Sequence, residues 1–321
     1  MDNHAVCLPR FGDAGVLSIK QVPVPQPQGG DILVKVAAAS VNPVDFKTRE
    51  GHFPPVPQEA LPIVMGRDLA GTLVAYGEEV APWIAEGQSV FAFIGTDRGA
   101  QADYVLVKSD EIAPVPQGLN MVQAAAVPLA ALTAWQGLFD HGGLQVGQRV
   151  LIHGGAGGVG HFAVQLAKAK GAFVASTCSG ADLDFVRQLG ADEVIDYKSE
   201  RFEDRASDMD VVFDLVGGDT QDRSWSVLRE GGIMVSTLEE PDADKAASQK
   251  VRFAPRYMAR PDAGQLRQIA DLIAQGKVRV TVSTTFPIDQ VQAAQNRLEE
   301  GHLRGKMVLT VSVSEENQLV V

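Results

Sequence analysis

Cysteine is scarce in this chain of 321 residues: Cys7 and Cys178 are the only two, and no Cys-x-x-Cys pair exists. A structural zinc of the cysteine type is therefore excluded. One disulfide is the most the chain could form, and a reducing, cytoplasmic setting is the expectation. Basic residues are outnumbered, 28 Lys and Arg against 40 Asp and Glu, giving a net charge of −12. Nucleic acid and anionic membrane surfaces are thus not expected as general partners. No run approaches about 18 uninterrupted apolar residues, so no membrane span is read. The N-terminus has no basic segment followed by an apolar one, so no signal peptide is read either. The six histidines, His4, His52, His141, His153, His161 and His302, form no pair at metal-ligand spacing, and no metal is expected.

What the chain does have is the composition of an ordinary globular protein, 45% hydrophobic and 21% charged, at a length that suits two domains. Its first part is built of short β-like runs broken by Pro and Gly, such as DILVKVA at 31–37, GTLVAY at 71–76, SVFAFI at 89–94 and ADYVLVK at 102–108. They read as a small, mostly antiparallel β unit. From about residue 124 strands alternate with helices. Strands are expected at 150–153, 173–177, 193–196, 210–216 and 232–236, with a sixth near 251–253. Helices are expected at 158–170, 182–189 and 219–228. Such alternation predicts a parallel sheet with helices on both faces. After Pro261 come a helix at 265–274, a strand at 278–282, a helix at 289–299 and a strand at 307–313. This last strand has no evident partner in the parallel sheet, so the chain is expected to return to the N-terminal β unit.

The most informative segment is RVLIHGGAGGVGHFAVQLAKAKG at 149–171. A buried strand runs into a nearly pure glycine turn, and apolar residues then recur at helical spacing. Within the turn lies Gly155-x-Gly157-x-x-Gly160. Glycine supplies the backbone angles and lets a pyrophosphate approach peptide N–H groups, while the helix N-terminus adds partial positive charge. Gly154, Gly155, Gly157, Gly158, Val159 and Gly160 are the candidate phosphate cradle. The end of the second strand, Thr177–Cys178–Ser179–Gly180, carries no acid, which favours NADPH over NADH. Ser179 could donate to a 2′-phosphate or serve as a cap, whereas Asp182 close by argues the other way.

With these residues in hand, the chain resembles the medium-chain dehydrogenase/reductase superfamily, in its zinc-independent quinone oxidoreductase branch of zeta-crystallin-like and enone-reductase proteins. The motifs are VNPVDFK at 41–47, PIVMGRDLAG at 62–71, LTAW at 132–135, the glycine turn, GADEVIDY at 190–197, VVFDLVG at 211–217 and RGKMVLTV at 304–311. The resemblance implies an α/β architecture: a Rossmann doubly wound parallel sheet inserted in a GroES-like, β-rich catalytic domain. Its parts would be 1–125 (first catalytic part), 126–257 (NADPH-binding domain) and 258–321 (return to the catalytic domain). It also implies NADPH as cofactor and a homodimer. Where zinc-dependent relatives carry Cys and His-Glu, this chain has Asn42 and Arg67–Asp68.

The same resemblance nominates site residues. Asn42 would approach the nicotinamide and substrate, and Lys47 would relay a proton or bind ribose. Thr133 would face the nicotinamide, Tyr197 would lie against the adenosine phosphate, and Lys306 would contact pyrophosphate. Asp45 would fix its turn, Asp214 would cap a strand-end loop, and Val216 in that loop is counted with the cofactor contacts. Phe46, Phe53, Trp135, Phe253 and Tyr257 are candidates for an apolar substrate pocket, although core packing is the commoner fate of a single aromatic. Without a Lewis acid, hydride addition to a quinone or α,β-unsaturated carbonyl is favoured over alcohol oxidation, because the charge delocalises onto an oxygen that a few donors can steady. Two alternatives stay open: reduction of thioester-linked enoyl groups, and a nucleotide-bound regulatory protein with little turnover.

Overall fold

The computed structural model describes residues 2–52 and 56–311. Six parallel strands form one sheet, in the order Glu193–Asp196, Phe173–Cys178, Arg149–His153, Met209–Asp214, Leu228–Ser236 and Arg252–Phe253. The first of these in the chain, Arg149–His153, has later strands on both sides. The strand order therefore reverses there, and the crevice beyond its carboxyl end is where such sheets bind ligands. Val150, Leu151 and Ile152 are all fully buried, as expected of a strand covered on both faces.

A seven-stranded sheet carries the other half of the molecule. Its centre is the long strand Asp31–Val41, which pairs antiparallel with Asp68–Tyr76, with Tyr104–Lys108 and with Lys306–Thr310. The C-terminal strand does return to the N-terminal unit: Met307 lies opposite Val41 and Leu309 opposite Ala39. A three-stranded sheet of Ser18–Val22, Asn3–Leu8 and Ile63–Val64 completes the β-rich part.

Some elements lie elsewhere than the sequence pattern suggested. The strand expected at 278–282 is instead Val282–Pro287, parallel to Lys306–Thr310. Its Ser-Thr-Thr run alternates half-buried and exposed positions, while Val278 is taken into the main core. The helices Met121–Ala125 and Pro128–Trp135 carried no readable period. The first is a single short turn with only Ala124 and Ala125 buried, and the second is alanine-rich and buried on nearly every side, so no polar face marks it. The strand expected at 307–313 ends at Thr310, and its last residues fall outside the described part.

Candidate active site

A cavity of about 540 Å³ opens between the carboxyl ends of the parallel strands and the β-rich part. One wall is the glycine turn. Gly154 has φ of +75°, and both its N–H and that of Gly155 donate to Thr177 O, at 3.1 and 3.0 Å. These two N–H groups hold the turn against the second strand rather than facing a ligand. The glycines differ in purpose. A Cβ on Gly155 would lie 2.0 Å from Ser176 Oγ, and one on Gly160 would lie 2.1 Å from Gly154 O. Both positions are closed by the protein itself. A Cβ on Gly157 would meet only Gly154 O at 3.3 Å, and one on Gly158 would meet the Lys306 side chain at 3.3 Å. Gly157, Gly158, Val159 and Gly160 line the cavity, whereas Gly155 does not. The helix Gly160–Lys170 begins here: His161 N donates to Gly157 O at 3.0 Å and Phe162 N and Ala163 N to Val159 O at 3.1 and 3.0 Å, whereas among the described residues the N–H groups of Gly158, Val159 and Gly160 have no backbone acceptor. A cradle that a side chain would fill, at the start of a buried helix, fits a dinucleotide pyrophosphate.

The opposite wall is a buried polar network. Asn42 caps the helix Pro43–Arg49, and its own N–H donates to Asp45 Oδ2 at 2.8 Å. Its side chain turns away from the helix. Nδ2 donates to Ser40 Oγ at 3.0 Å and to Asp68 Oδ1 at 2.9 Å. Its Oδ1 accepts from Lys306 Nζ. Asp68 also accepts from Ser40 Oγ, and its second oxygen accepts from Leu129 N at 3.1 Å, near the start of the helix that carries Thr133. Lys306 is 4% exposed, and burial lowers its pKa against the pull of Asp68 and Asp45. Burial raises the Asp45 carboxyl to about 7, although the Asn42 N–H and Arg67 oppose the shift.

Asn42 and Lys306 both line the cavity and are bonded to each other. Both Asn42 amide protons are spent on Ser40 and Asp68, so Asn42 has no donor left for a substrate oxygen. Lys306 does not stand free at the pyrophosphate: its stem passes by Gly158 and its head is bound to Asn42. The cations lining the cavity are Lys47, Arg67, Arg260 and Lys306. Lys47 sits on a helix fixed by the buried Arg49, which donates to Gly12 O at 3.0 Å and Gln295 Oε1 at 3.1 Å and pairs with Glu299 at 2.7 Å. Arg67 donates to Gly95 O and Arg98 O only at 3.3 and 3.4 Å.

Of the aromatic candidates, Tyr257 alone lines the cavity among the described residues, donating to Thr133 O at 2.6 Å. Trp135 packs edge-on against Phe139 with ring centroids 4.9 Å apart, on the core side of its helix. Phe253 lies on the sheet-edge strand against the cluster of Leu151, Ala175 and Met234. Phe46 is half-buried and outside the cavity wall. Core packing took Trp135 and Phe253, and helix phase turned Phe46 away. Phe53 lies outside the described residues.

Three candidate cofactor residues sit beyond the cavity wall. Ser179 donates its hydroxyl to Asp182 Oδ2 at 2.7 Å. Tyr197 and Val216 are both half exposed. Asp214 shapes the loop holding Val216, accepting from Val216 N at 3.0 Å and Gly217 N at 2.9 Å. Sequence reasoning missed Ser40, whose hydroxyl belongs to the polar network, and Arg304, which pairs with Asp182 at 2.8 Å. Ser40 belongs to no motif, and Arg304, though it opens the RGKMVLTV run, has no neighbour in sequence that shows its partner; strand pairing and the C-terminal return bring them in. His153 and His161 are fully buried and bond within the fold: His153 to Thr177 and Ser224, His161 to Gly157 O. A catalytic metal does not fit this wall. Cationic Lys306 is bonded to Asn42 and Arg67 lines the same cavity, and no group of three or more His, Cys, Asp or Glu that could hold a metal occurs among the described residues. No described helix is long and apolar enough to cross a membrane.

Comparison with known proteins agrees with this geometry. Residues 28–117 match the family described as alcohol dehydrogenase GroES-like domain, and residues 189–309 the family described as zinc-binding dehydrogenase. The 2-methylene-furan-3-one reductase of Solanum lycopersicum is 35% identical over 311 residues, covering 93% of this chain and 76% of that protein. The chloroplastic quinone-oxidoreductase homolog of Spinacia oleracea is 30% identical, covering 95% of this chain and 98% of its own. The quinone oxidoreductase structure from Coxiella burnetii superposes with a TM-score of 0.88 at 33% identity, covering 97% of this chain and all of that one. A mycobacterial protein solved in complex with NADPH superposes at 0.85 with 27% identity, covering 96% of this chain and 100% of its own. Together with the glycine cradle and the inserted parallel sheet, these likenesses establish that the chain is an oxidoreductase of the medium-chain dehydrogenase/reductase superfamily, in its quinone oxidoreductase and enone reductase branch.

Proposed function

We propose that this chain is an NADPH-dependent, zinc-independent reductase of quinones or α,β-unsaturated carbonyl compounds. The observation that carries the reading is the shared cavity: the open glycine turn, Thr133 and the cations Lys47, Arg67 and Lys306 all line it. When bound, the nicotinamide cofactor supplies a hydride to the electrophilic carbon of the substrate. The open side of the turn at Gly157, with the N–H groups of Gly158, Val159 and Gly160, would hold the pyrophosphate. Thr133, on a helix anchored by Asp68, would lie against the nicotinamide. Negative charge then grows on the substrate oxygen, where Lys47 or Arg67 steadies it, an interaction strongest in a site that excludes water. Lys47 or solvent delivers the proton, so the reduced product leaves neutral. Asn42 serves the site by holding Lys306 rather than by donating to substrate.

No acid stands within Thr177–Gly180 itself, which supports NADPH over NADH, with Ser179, bonded to Asp182, and Tyr197 at the adenosine end. The three-part division at 1–125, 126–257 and 258–321 follows the same reading. So does a cytoplasmic homodimer, although several relatives are named as mitochondrial or chloroplastic. NADPH oxidation with 1,4-benzoquinone, 9,10-phenanthrenequinone and short enones, with and without a chelator, tests the reaction. Turnover that vanishes with the chelator and returns with zinc would overturn the metal-free chemistry. No turnover with any of these acceptors would overturn the substrate class.

A further inference from the structure

The end of the second strand holds a guanidinium. Strand Phe173–Cys178 leads into Ser179 and then Asp182. One oxygen of the Asp182 carboxylate, Oδ2, accepts from the Ser179 hydroxyl at 2.7 Å. The other, Oδ1, accepts from Nε of Arg304 at 2.9 Å and lies 2.8 Å from its Nη2 in an ion pair. Nη2 also donates to Ala181 O at 3.0 Å, and the guanidinium carbon lies 4.9 Å from the centroid of the Phe185 ring. Arg304 comes from 122 residues away in the sequence. Its approach is fixed by its neighbour: Gly305 has φ of +67°, and its N–H donates to Ala156 O within the glycine turn at 2.8 Å.

The arrangement goes beyond what an ion pair alone requires. The Arg304 side chain is 46% exposed, and a pair that open to water contributes little to stability. Three contacts nevertheless hold it at the strand end, and among the described residues nothing bonds its Nη1. A lone Asp182 would repel a phosphate at this place. Pairing with Arg304 neutralises Asp182, although the Asp196 carboxylate stays beside Gly180, and Nη1 of the guanidinium still offers its N–H donors to a phosphate oxygen. We propose that Arg304 is the residue that reads the 2′-phosphate of the dinucleotide, sharing its guanidinium between that phosphate and Asp182. Asp182 and Ala181 hold the fork in place, and Ser179 lies beside it. The tripeptide Arg304–Gly305–Lys306 then serves three positions along one cofactor. Arg304 stands at the adenosine end, Gly305 clips the phosphate turn, and Lys306 reaches Asn42 at the far end. This inference rests on the NADPH reading above and adds the group that makes the distinction.

The test is equilibrium binding. NADPH and NADH are titrated by fluorescence, and adenosine 2′,5′-bisphosphate and AMP by calorimetry, against the wild type, Arg304→Gln and Arg304→Lys. Thermal melting establishes that each variant is folded. Arg304→Gln is expected to weaken NADPH and the bisphosphate at least about tenfold, the order of one lost charge-assisted contact, while NADH and AMP move less than about twofold. Arg304→Lys, which keeps the charge, is expected to retain most of the preference. Equal weakening of NADPH and NADH would mean a merely structural strap and would overturn the inference. So would a wild type that prefers NADPH with the preference intact in Arg304→Gln, which leaves the cofactor reading standing. A wild type that prefers NADH would overturn both.

Discussion

The buried ammonium of Lys306 donates to the amide oxygen of Asn42, 264 residues away in the sequence. The contact joins the final strand to the cap of the helix that bears Lys47. It also fixes the Asn42 amide so that both its N–H groups point at Ser40 and Asp68.

Replacing Asn42 should therefore cost stability as well as rate. Asn42→Ala leaves a buried ammonium and a buried carboxylate each short of a partner. The expected loss is about 1–3 kcal/mol in urea unfolding, together with a lower kcat. A fall in kcat with unchanged stability would instead make Asn42 itself the donor to substrate.

The two kinds of glycine in the turn should separate on substitution. Gly157→Val places its side chain on the open side of the cradle, so the protein should fold and lose NADPH binding. Gly160→Ala drives a Cβ to 2.1 Å from Gly154 O, so the turn itself should fail and the melting temperature should fall. Circular dichroism melting and fluorescence titration read the two effects. Normal cofactor affinity in Gly157→Val would put the phosphates elsewhere.

Lys47→Ala should lower kcat with little change in NADPH affinity, because the interaction grows as charge develops on the substrate oxygen. A drop on the order of ten- to a thousandfold is expected. Weaker NADPH binding at constant kcat would assign Lys47 to the ribose. If neither parameter moves, Lys47 is a solvated surface residue and Arg67 becomes the better candidate.

Acid should destabilise the fold through two buried histidines. Burial pushes His153 and His161 down to about 4 from an ordinary 6.5. A depressed histidine binds its proton more readily in the unfolded chain. Its contribution is complete above 6.5 and lost as the pH falls from there through 4. By about pH 5 the loss should reach about 2 kcal/mol per histidine. Urea unfolding at about pH 7.5 and about pH 5 measures it. In His161→Gln, which keeps a donor near Gly157 O, the difference between the two pH values should shrink. An equal difference in wild type and variant would mean that His161 titrates normally.

The parallel sheet was legible because each of its strands is a short apolar run set between turn residues, and the alternation with helices fixes the class. The glycine turn was legible because its function is local: a tight turn and an open N–H row need glycine in consecutive positions. The alanine-rich helix Pro128–Trp135 was not legible, since a helix buried on nearly every side has no polar face to set its period. The aromatic pocket was misread at Trp135 and Phe253 for a related reason: hydrophobicity says that a ring will be buried but not on which side of its element.

The sequence by itself determined the fold class and the phosphate cradle, because each depends on residues near one another in the chain. Tertiary structure alone decided how Asn42 is used, where Lys306 points and what neutralises Asp182. Those contacts span 26 to 264 residues. They exist because the final strand pairs antiparallel with Asp31–Val41, bringing Arg304, Gly305 and Lys306 along the phosphate turn. Pairing over that distance leaves no period or spacing in the sequence from which such neighbours could be read.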